Sequence, residues 1–271
     1  MDERAKRTRI PDNWQSGDRY ERFIGRWSRS VAREFVSWLG VPRGRGWLDV
    51  GCGTGALSAA IAERCAPALV VGMERSAGFL PAAKVALAGR AMLLGGDASA
   101  MPVRPASVDA VVSGLVLNFV PDADVAVVGM AAVTAPGGTV GAYVWDYSGR
   151  MEMLRLFWDA ATALDPSAAR LDEGPRFPLC RPEALDGTFR SAGLRSVEVA
   201  PIDVPTVFAD FEDYWLPFLG GTGPAPAYVA SLGNAARDRL RQRLRGDLSL
   251  RSDGSIALAA RAWAVRGIAG G

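Results

Sequence analysis

The chain has 271 residues, of which 49% are hydrophobic and 22% are charged, and its formal net charge is only +2. This length and composition are typical of one large globular core with an appended segment, and the small charge gives no support to nucleic-acid binding. The sequence contains no histidine, which excludes Ser-His-Asp and Cys-His catalysis and removes the commonest transition-metal ligand.

Cysteine usage and the first residues bear on the compartment of the protein. Cys52, Cys65 and Cys180 are widely spaced and form no C-x-x-C motif, which predicts free thiols and no metal site. No apolar run approaches the ~18 residues of a membrane span, and the charged opening segment is not typical of a secretory signal. We therefore expect a cytoplasmic protein that does not contact a membrane, with its oligomeric state left open.

Strand-like apolar runs alternate with helix-like stretches from residue 46 onward. The predicted strands are residues 46–50, 69–74, 91–96, 108–117 and 139–147, followed by 194–204 and 255–267. Helices are predicted between them, at residues 56–65, 76–89 and 122–134. The last two strands are expected to form a hairpin-like pair. The alternation predicts an α/β fold with a parallel sheet covered by helices on both faces.

A glycine-rich turn follows the first predicted strand, in the stretch "WLDVGCGTGALS" (47–58). It can be interpreted as the dinucleotide fingerprint Gly51-x-Gly53-x-x-Ala56 or as the S-adenosylmethionine (SAM) fingerprint Asp49-x-Gly51-x-Gly53-x-Gly55. Either ligand needs close backbone approach and the N-terminal N–H groups of the next helix. Glu74, 19 residues after Gly55, is placed to bind ribose hydroxyls in both cases.

Three further features favour SAM. Asp49 would repel a pyrophosphate but attract a cationic amino-acid group. Asp97, in "LLGGDASAMP", ends the third predicted strand and is placed to accept a hydrogen bond from an adenine amino group. A Pro-Gly-Gly turn, in "APGGTVGAYVW", precedes the fifth predicted strand.

In this order these segments resemble the class I SAM-dependent methyltransferases. The resemblance rests on "LDVGCGTG" (48–55), "VVGMERS" (70–76), "GDASAMP" (96–102), "VDAVVSGLVLNFVPD" (108–122) and "APGGTVGAYVWDY" (135–147). It extends loosely to "YERFIGRWS" (20–28), which is similar to the ubiquinone-biosynthesis-type, small-molecule branch. The resemblance implies a Rossmann-like three-layer sandwich with a seven-stranded, mostly parallel sheet and a helical insert before the last strand.

The resemblance also implies a set of cofactor-binding residues. Asp49 and the glycine turn would hold the methionine part of SAM, Glu74 the ribose, and Asp97 with Ala98 the adenine, while Tyr20 and Trp27 would close over the methionine end. The full cofactor set is Tyr20, Trp27, Asp49, Gly51, Cys52, Gly53, Gly55, Glu74, Arg75, Asp97, Ala98 and Asn118. Residues 1–45 are expected to be a helical segment covering the cofactor, and residues 46–271 the SAM-binding domain, with a helical lid at about 208–250.

Acceptor-site residues are expected beyond the carboxyl ends of the strands, where ligands bind in open parallel sheets. Without histidine, Asp146 and Tyr147 are the candidate catalytic bases, unless the acceptor ionises unaided. The candidate substrate-binding residues are Trp145, Arg176, Phe177, Tyr214, Trp215 and Phe218, with plain core packing as the alternative for each aromatic.

These predictions favour methyl transfer to a small-molecule acceptor through an O, N or C nucleophile, by in-line displacement. The second hypothesis is a SAM-binding protein of this fold without methylation activity, such as a cyclase or a partner subunit. An NAD-dependent oxidoreductase is disfavoured by Asp49 and by the lack of a Tyr-x-x-x-Lys pair. An Arg-rich helix within 211–248 is expected to be a solvated lid helix, with phosphate binding as its alternative.

Overall fold

The computed structural model describes residues 25–220 and 223–270. Its seven strands form one sheet in the order β3-β2-β1-β4-β5-β7-β6. The strands are β1 (Gly46–Val50), β2 (Leu69–Glu74), β3 (Met92–Gly95), β4 (Val108–Gly114), β5 (Thr134–Trp145), β6 (Arg195–Phe208) and β7 (Ile256–Ile268). Strands β1 to β5 pair in parallel, and β7 is antiparallel to both β5 and β6. The predicted seven-stranded, mostly parallel sheet and its terminal hairpin-like pair are confirmed.

Helices cover both faces of this sheet. They are α1 (Arg26–Leu39), α2 (Ala56–Arg64), α3 (Leu80–Leu87), α4 (Ala123–Val133), α5 (Glu152–Leu164), α6 (Glu173–Arg176), α7 (Pro182–Ser191), α8 (Phe211–Trp215), α9 (Pro224–Ser231) and α10 (Asn234–Asp247). Helices α1, α2 and α3 pack in one layer, and α4 packs against α7 in the other. Crossovers between parallel strands, which are right-handed as a general rule, produce such a division, so the fold is a three-layer α/β sandwich of the Rossmann-like type.

The strand order places a crevice at one edge of the sheet. Strand β1 pairs with both β2 and β4, and the chain proceeds outward from β1 in one direction through β2 and β3 and in the other through β4 and β5. Ligands of open α/β sheets bind beyond the carboxyl ends of the strands at such a reversal. The glycine turn follows β1 directly and therefore lies at this point.

Strand β4 is shorter than the apolar run predicts. The prediction of a strand through residue 117 is wrong, because Leu115 has φ of 62°, a left-handed conformation that ends the strand after Gly114. A 3₁₀ turn at Leu117–Phe119 follows, and Asp122 then caps α4 by accepting a hydrogen bond from the backbone N–H of Val125. The sharp turn directs the segment after β4 across the crevice.

The segment between β6 and β7 is helical and packs against α5. The rings of Phe157 and Phe218 stack with centroids 4.5 Å apart, and the Tyr214 hydroxyl donates a hydrogen bond to the Met153 carbonyl at 3.0 Å. Arg26 of α1 pairs with Asp213 at 3.0 Å, which ties the segment to the first described helix. Across residues 25–220 and 223–270, no helix is both long and apolar enough to cross a membrane.

Candidate active site

A cavity of about 540 Å³ lies at the carboxyl ends of the central strands. This volume is within the range of small-molecule sites. The described residues lining it come from α1, β1, the glycine turn, the first turn of α2, strand β5 and the segments at or after the ends of β2 to β4. They are Ser28, Asp49, Gly51, Cys52, Gly53, Thr54, Ala56, Leu57, Glu74, Arg75, Ser76, Phe79, Gly96, Asp97, Ala98, Gly114, Leu115, Val116, Phe119, Val120, Pro121 and Tyr143.

The glycine turn forms the floor of this cavity. Gly51, Gly53 and Gly55 all have positive φ, at 76°, 54° and 91°. At Gly51 the left-handed backbone already disfavours a side chain, and the available space excludes one. A Cβ atom there would lie 2.7 Å from both methyl carbons of Val116. The N–H groups of Gly51 and Cys52 donate to the Met73 carbonyl at 2.7 and 2.9 Å, which fixes the turn to the end of β2.

Asp49 is the most unusual group in the cavity. Its side chain is fully buried, and its Oδ2 accepts a hydrogen bond from the Ser58 hydroxyl at 2.6 Å. Its Oδ1 has no hydrogen-bond partner among the described residues. Burial raises the pKa of Asp49 from 3.8 to about 7, against the smaller lowering effect of the Ser58 hydrogen bonds. A buried acceptor of this kind is costly unless a ligand supplies its partner.

Glu74 connects the glycine turn to the segment after β2. Its Oε2 accepts from the backbone N–H of Gly53 at 3.0 Å, and its Oε1 accepts from the N–H of Ser76 at 2.7 Å. These bonds hold the carboxylate at the cavity lining next to the turn. That position fits the predicted contact with vicinal hydroxyl groups.

Asp97 lies at the third strand end and is more exposed. Its Oδ1 accepts from the N–H of Ser99 at 2.8 Å, and its Oδ2 pairs with Arg75 at 3.2 Å. The Ser99 backbone bond, with Arg75 as the smaller influence, lowers the pKa of Asp97 below its usual value of 3.8. The carboxylate is therefore ionised at neutral pH and available to accept hydrogen bonds. Ala98 and Cys52 also line the cavity.

Two other predicted cofactor residues lie beside the cavity lining. Trp27 is buried with its ring 5.1 Å from that of Phe208, whereas its neighbour Ser28 lines the cavity. Asn118 lies in the 3₁₀ turn next to Phe119, and its Nδ2 is buried with no hydrogen-bond partner in the described part of the chain. Tyr20 falls outside the described residues.

The predicted catalytic pair lies behind the cavity lining. Asp146 is 7% exposed, and its Oδ2 accepts from the N–H of Arg150 at 2.9 Å, so the carboxylate closes the turn after β5. Tyr147 is buried with its ring 5.6 Å from that of Phe177. Neither residue is among the described residues that line the cavity.

The predicted substrate residues divide into two groups. Phe177 packs edge-to-face on Phe119, with centroids 5.2 Å apart, and so supports the cavity from behind, with Arg176 lying 5.3 Å from its ring. The other aromatics are buried in the core away from the described lining. These are Trp145, Tyr214, Trp215 and Phe218. None of the described residues of the predicted lid lines the cavity either.

Several lining residues were not predicted from the sequence. Leu115, Val116, Phe119, Val120 and Pro121 form an apolar wall after β4, which we call the β4 wall. The sequence indicates this wall only through the apolar run of residues 108–117, which continues past the end of β4. Tyr143 also lines the cavity, and Ser58 binds Asp49 from outside the lining. Neither could be identified from the sequence, because Tyr143 lies within β5 and Ser58 within α2.

The charge pattern of the cavity decides between the two ligands that the glycine turn allows. Asp49, Glu74 and Asp97 are three carboxylates on the lining, and the described cation there, Arg75, is already paired. A pyrophosphate would meet repulsion from buried Asp49, whereas a cationic amino group would satisfy its unpartnered Oδ1. The residues present therefore fit SAM. In the described residues, no cluster of three or more His, Cys, Asp or Glu side chains could hold a metal ion.

Comparison with known proteins agrees with this interpretation. A family model described as a methyltransferase domain matches residues 48–141. Demethylmenaquinone methyltransferase of Lactobacillus johnsonii is 31% identical over 145 residues, which are 51% of this chain and 59% of that protein. The chain thus spans less than two thirds of the length of this curated relative.

Solved structures share the fold. A phosphoethanolamine N-methyltransferase of Haemonchus contortus, in complex with phosphomonomethylethanolamine and S-adenosylhomocysteine, superposes with a TM-score of 0.59 at 17% identity, covering 98% of this chain and 59% of that one. The [4+2]-cyclase SpnF superposes with a TM-score of 0.51 at 18% identity, covering 91% and 81%. At these identities the likeness is one of fold alone.

The family match has direct bearing on the cavity. It spans β1 to β5 as far as Gly141, and so contains the glycine turn and all three lining carboxylates. Because the family match and the fit of the site to its ligand coincide on the same residues, residues 48–141 are a methyltransferase domain similar to those of the class I SAM-dependent enzymes, and the cofactor of this domain is S-adenosylmethionine.

Proposed function

We propose that this protein transfers a methyl group from SAM to a small-molecule acceptor through an O, N or C nucleophile. The observation that carries the proposal is the unpartnered, buried Oδ1 of Asp49 in a cavity that also has an apolar wall. The carboxylate supplies a site for the cationic end of SAM. The β4 wall supplies a surface for a second, less polar molecule beside it.

Bound SAM would supply a methyl group activated by the positive charge on its sulfur, with a neutral thioether as the leaving group. The protein's contribution is to align the two molecules and exclude water. We propose that Asp49, Glu74 and Asp97 fix the cofactor at three points. The β4 wall, supported by Phe177 behind Phe119, would hold the acceptor.

Proton removal is assigned to the acceptor in this proposal. The chain has no histidine, and the Asp146 carboxylate is engaged by the N–H of Arg150. Apart from the three carboxylates assigned to the cofactor, the described lining includes one phenol group, that of Tyr143. We therefore propose an acceptor whose nucleophile is reactive at neutral pH without a strong protein base, such as an amine, an enolate or an acidic hydroxyl group.

We also propose that the described part of the N-terminal segment, residues 25–45, covers the methionine end of SAM, because Ser28 of α1 lines the cavity. The helical segment at about 208–250 would act on the site through α1, to which it is joined by the ion pair between Arg26 and Asp213. A small-molecule acceptor is supported by the name of the Lactobacillus johnsonii relative, which acts on demethylmenaquinone.

The experiment is a methyl-transfer assay with SAM carrying a radiolabelled methyl group and a small-molecule metabolite extract. Label appearing in a new small molecule, together with an equal amount of S-adenosylhomocysteine, supports the proposal. The matched control is Glu74→Ala, which should lose transfer. Label in protein or nucleic acid instead would contradict the small-molecule assignment, and stabilisation by NAD but not by SAM in a thermal-shift assay would contradict the cofactor.

A second candidate is a cyclisation that uses bound SAM without consuming it. The apolar β4 wall favours it, because a largely apolar surface can fold a flexible substrate into a reactive shape without acid-base chemistry. The [4+2]-cyclase SpnF shares the fold. The two candidates separate in one measurement, because cyclisation forms product without S-adenosylhomocysteine.

A further inference from the structure

The Ser58 hydroxyl binds one of the two carboxylate oxygens of Asp49. Ser58 lies in α2 and is fully buried, and its Oγ is 2.6 Å from Asp49 Oδ2. The opposite oxygen, Oδ1, is left without a partner in the described residues, on a side chain that lines the cavity. Ser58 thus holds one side of the carboxylate and leaves the other oxygen for a ligand.

The charged and titratable groups around Asp49 do not neutralise it. Glu74, from the neighbouring strand β2, adds repulsion that favours the protonated form of Asp49. The Cys52 thiol of the glycine turn is held neutral, because burial raises its pKa above the usual range. On the β4 side, Asp49 pairs in register with the apolar residue Val112. No cation pairs with Asp49 in the described ranges, so Ser58 is the main group that favours its ionised form.

We propose that Ser58 is a positioning residue for SAM binding. It orients Asp49 and favours the ionised form of this carboxyl, and binding of the cationic cofactor near neutral pH releases the proton that remains on it. The inference rests on the proposed use of SAM. It adds a residue outside the cavity lining and a pH dependence of cofactor affinity that the methyltransferase assignment does not itself imply.

The direction of the pH dependence follows from the ligand-free carboxyl, whose pKa burial raises to about 7. Below pH 7, SAM must displace a proton, so affinity should rise about tenfold for each pH unit as the pH increases. Above pH 7, Asp49 is already ionised and this dependence ends. Losing the hydrogen bond from Ser58 should raise the pKa of Asp49 further and move the end of the rise to higher pH.

The test is calorimetric titration of SAM into the full chain between pH 6 and pH 8.5, for the wild type, Ser58→Ala and Ser113→Ala. Ser113 is a matched control, because it is also fully buried and its hydroxyl donates to the Val50 carbonyl at 2.8 Å rather than to Asp49. Ser58→Ala should weaken binding about tenfold at pH 6 and less than twofold at pH 8.5. Ser113→Ala should change affinity equally at every pH.

Titration in two buffers with different ionisation enthalpies supplies the second measurement. At pH 6.5 the wild type and Ser113→Ala should release most of one proton per SAM bound, and Asp49→Asn should release none from this site. A pH-independent loss in Ser58→Ala, or no proton release in the wild type, would overturn the inference while leaving SAM binding intact. Absence of SAM binding at every pH would instead contradict the proposed function.

Discussion

Replacing Gly51 by alanine tests whether the glycine turn needs this residue for space as well as for conformation. Gly51 has φ of 76°, and a Cβ atom there would lie 2.7 Å from Cγ1 and Cγ2 of Val116. Gly53, two residues later in the same turn, has φ of 54° but no heavy atom within 4 Å of its added Cβ. The two positions therefore differ in the space available and share the left-handed backbone.

The expected magnitudes follow from that difference. A left-handed conformation costs an L-residue about 1–2 kcal/mol, so Gly53→Ala should lose about 1 kcal/mol of unfolding free energy. Gly51→Ala carries the same strain plus overpacking, which typically adds about 1–3 kcal/mol. We expect it to lose about 2–4 kcal/mol. Replacing glycine by alanine also reduces the conformational entropy of the unfolded chain, which stabilises the folded protein. This effect is the same in both variants and cancels in the comparison.

Chemical denaturation measures the energy of the clash directly. The proteins to compare are the two glycine variants, Val116→Ala, and the double variant Gly51→Ala with Val116→Ala. Removing both Val116 methyl carbons leaves only its Cβ, at 3.1 Å, near the new side chain. The double variant should therefore be more stable than the sum of the single changes predicts, by about 1–2 kcal/mol. Equal losses at the two glycines together with additive effects in the cycle would refute the steric reasoning.

Three further predictions concern Glu173, Glu74 and Phe177. Burial raises the pKa of Glu173 from 4.5 to about 7 while Trp158 Nε1 donates to it, so the wild type loses up to about 3 kcal/mol of stability as pH rises from 4.5 to about 7. Glu173→Gln should remove that loss, and denaturation at pH 5 and pH 8 checks this; an unchanged pH dependence would count against it. Glu74→Gln weakens two N–H bonds from the turn and should lower SAM affinity at least tenfold by calorimetry, whereas unchanged affinity would argue against the ribose role. Phe177→Ala should cost about 3 kcal/mol of stability by denaturation and raise the acceptor KM more than that of SAM, because its ring supports Phe119; equal rises would contradict the acceptor role.

The cofactor side of the cavity was predictable from the sequence because its residues follow strand ends. Asp49, Glu74 and Asp97 each lie at the carboxyl end of a parallel strand, and such ends converge at one edge whatever the details of packing. Apolar runs likewise predicted the strands of the sheet and the final hairpin.

The acceptor side was less predictable, since aromatic residues look alike in sequence whether they line a cavity or fill a core. Tyr214 and Phe218 pack around Phe157 under the helical segment, whereas Phe119 faces the cavity. The left-handed Leu115 that turns the chain toward the cavity has no composition signal, because leucine is not typical of that conformation. The Ser58 contact joins two elements and depends on their packing.

The most direct test of the central claim is calorimetric titration of S-adenosylhomocysteine, at pH 7.5, into the wild type and into Asp97→Ala, whose side chain is partly exposed and whose loss should not unfold the chain. Our account predicts one saturable site per chain in the wild type and at least tenfold weaker binding in the variant. No saturable binding to the wild type, or the same affinity in both proteins, would contradict the assignment of this cavity as the cofactor site.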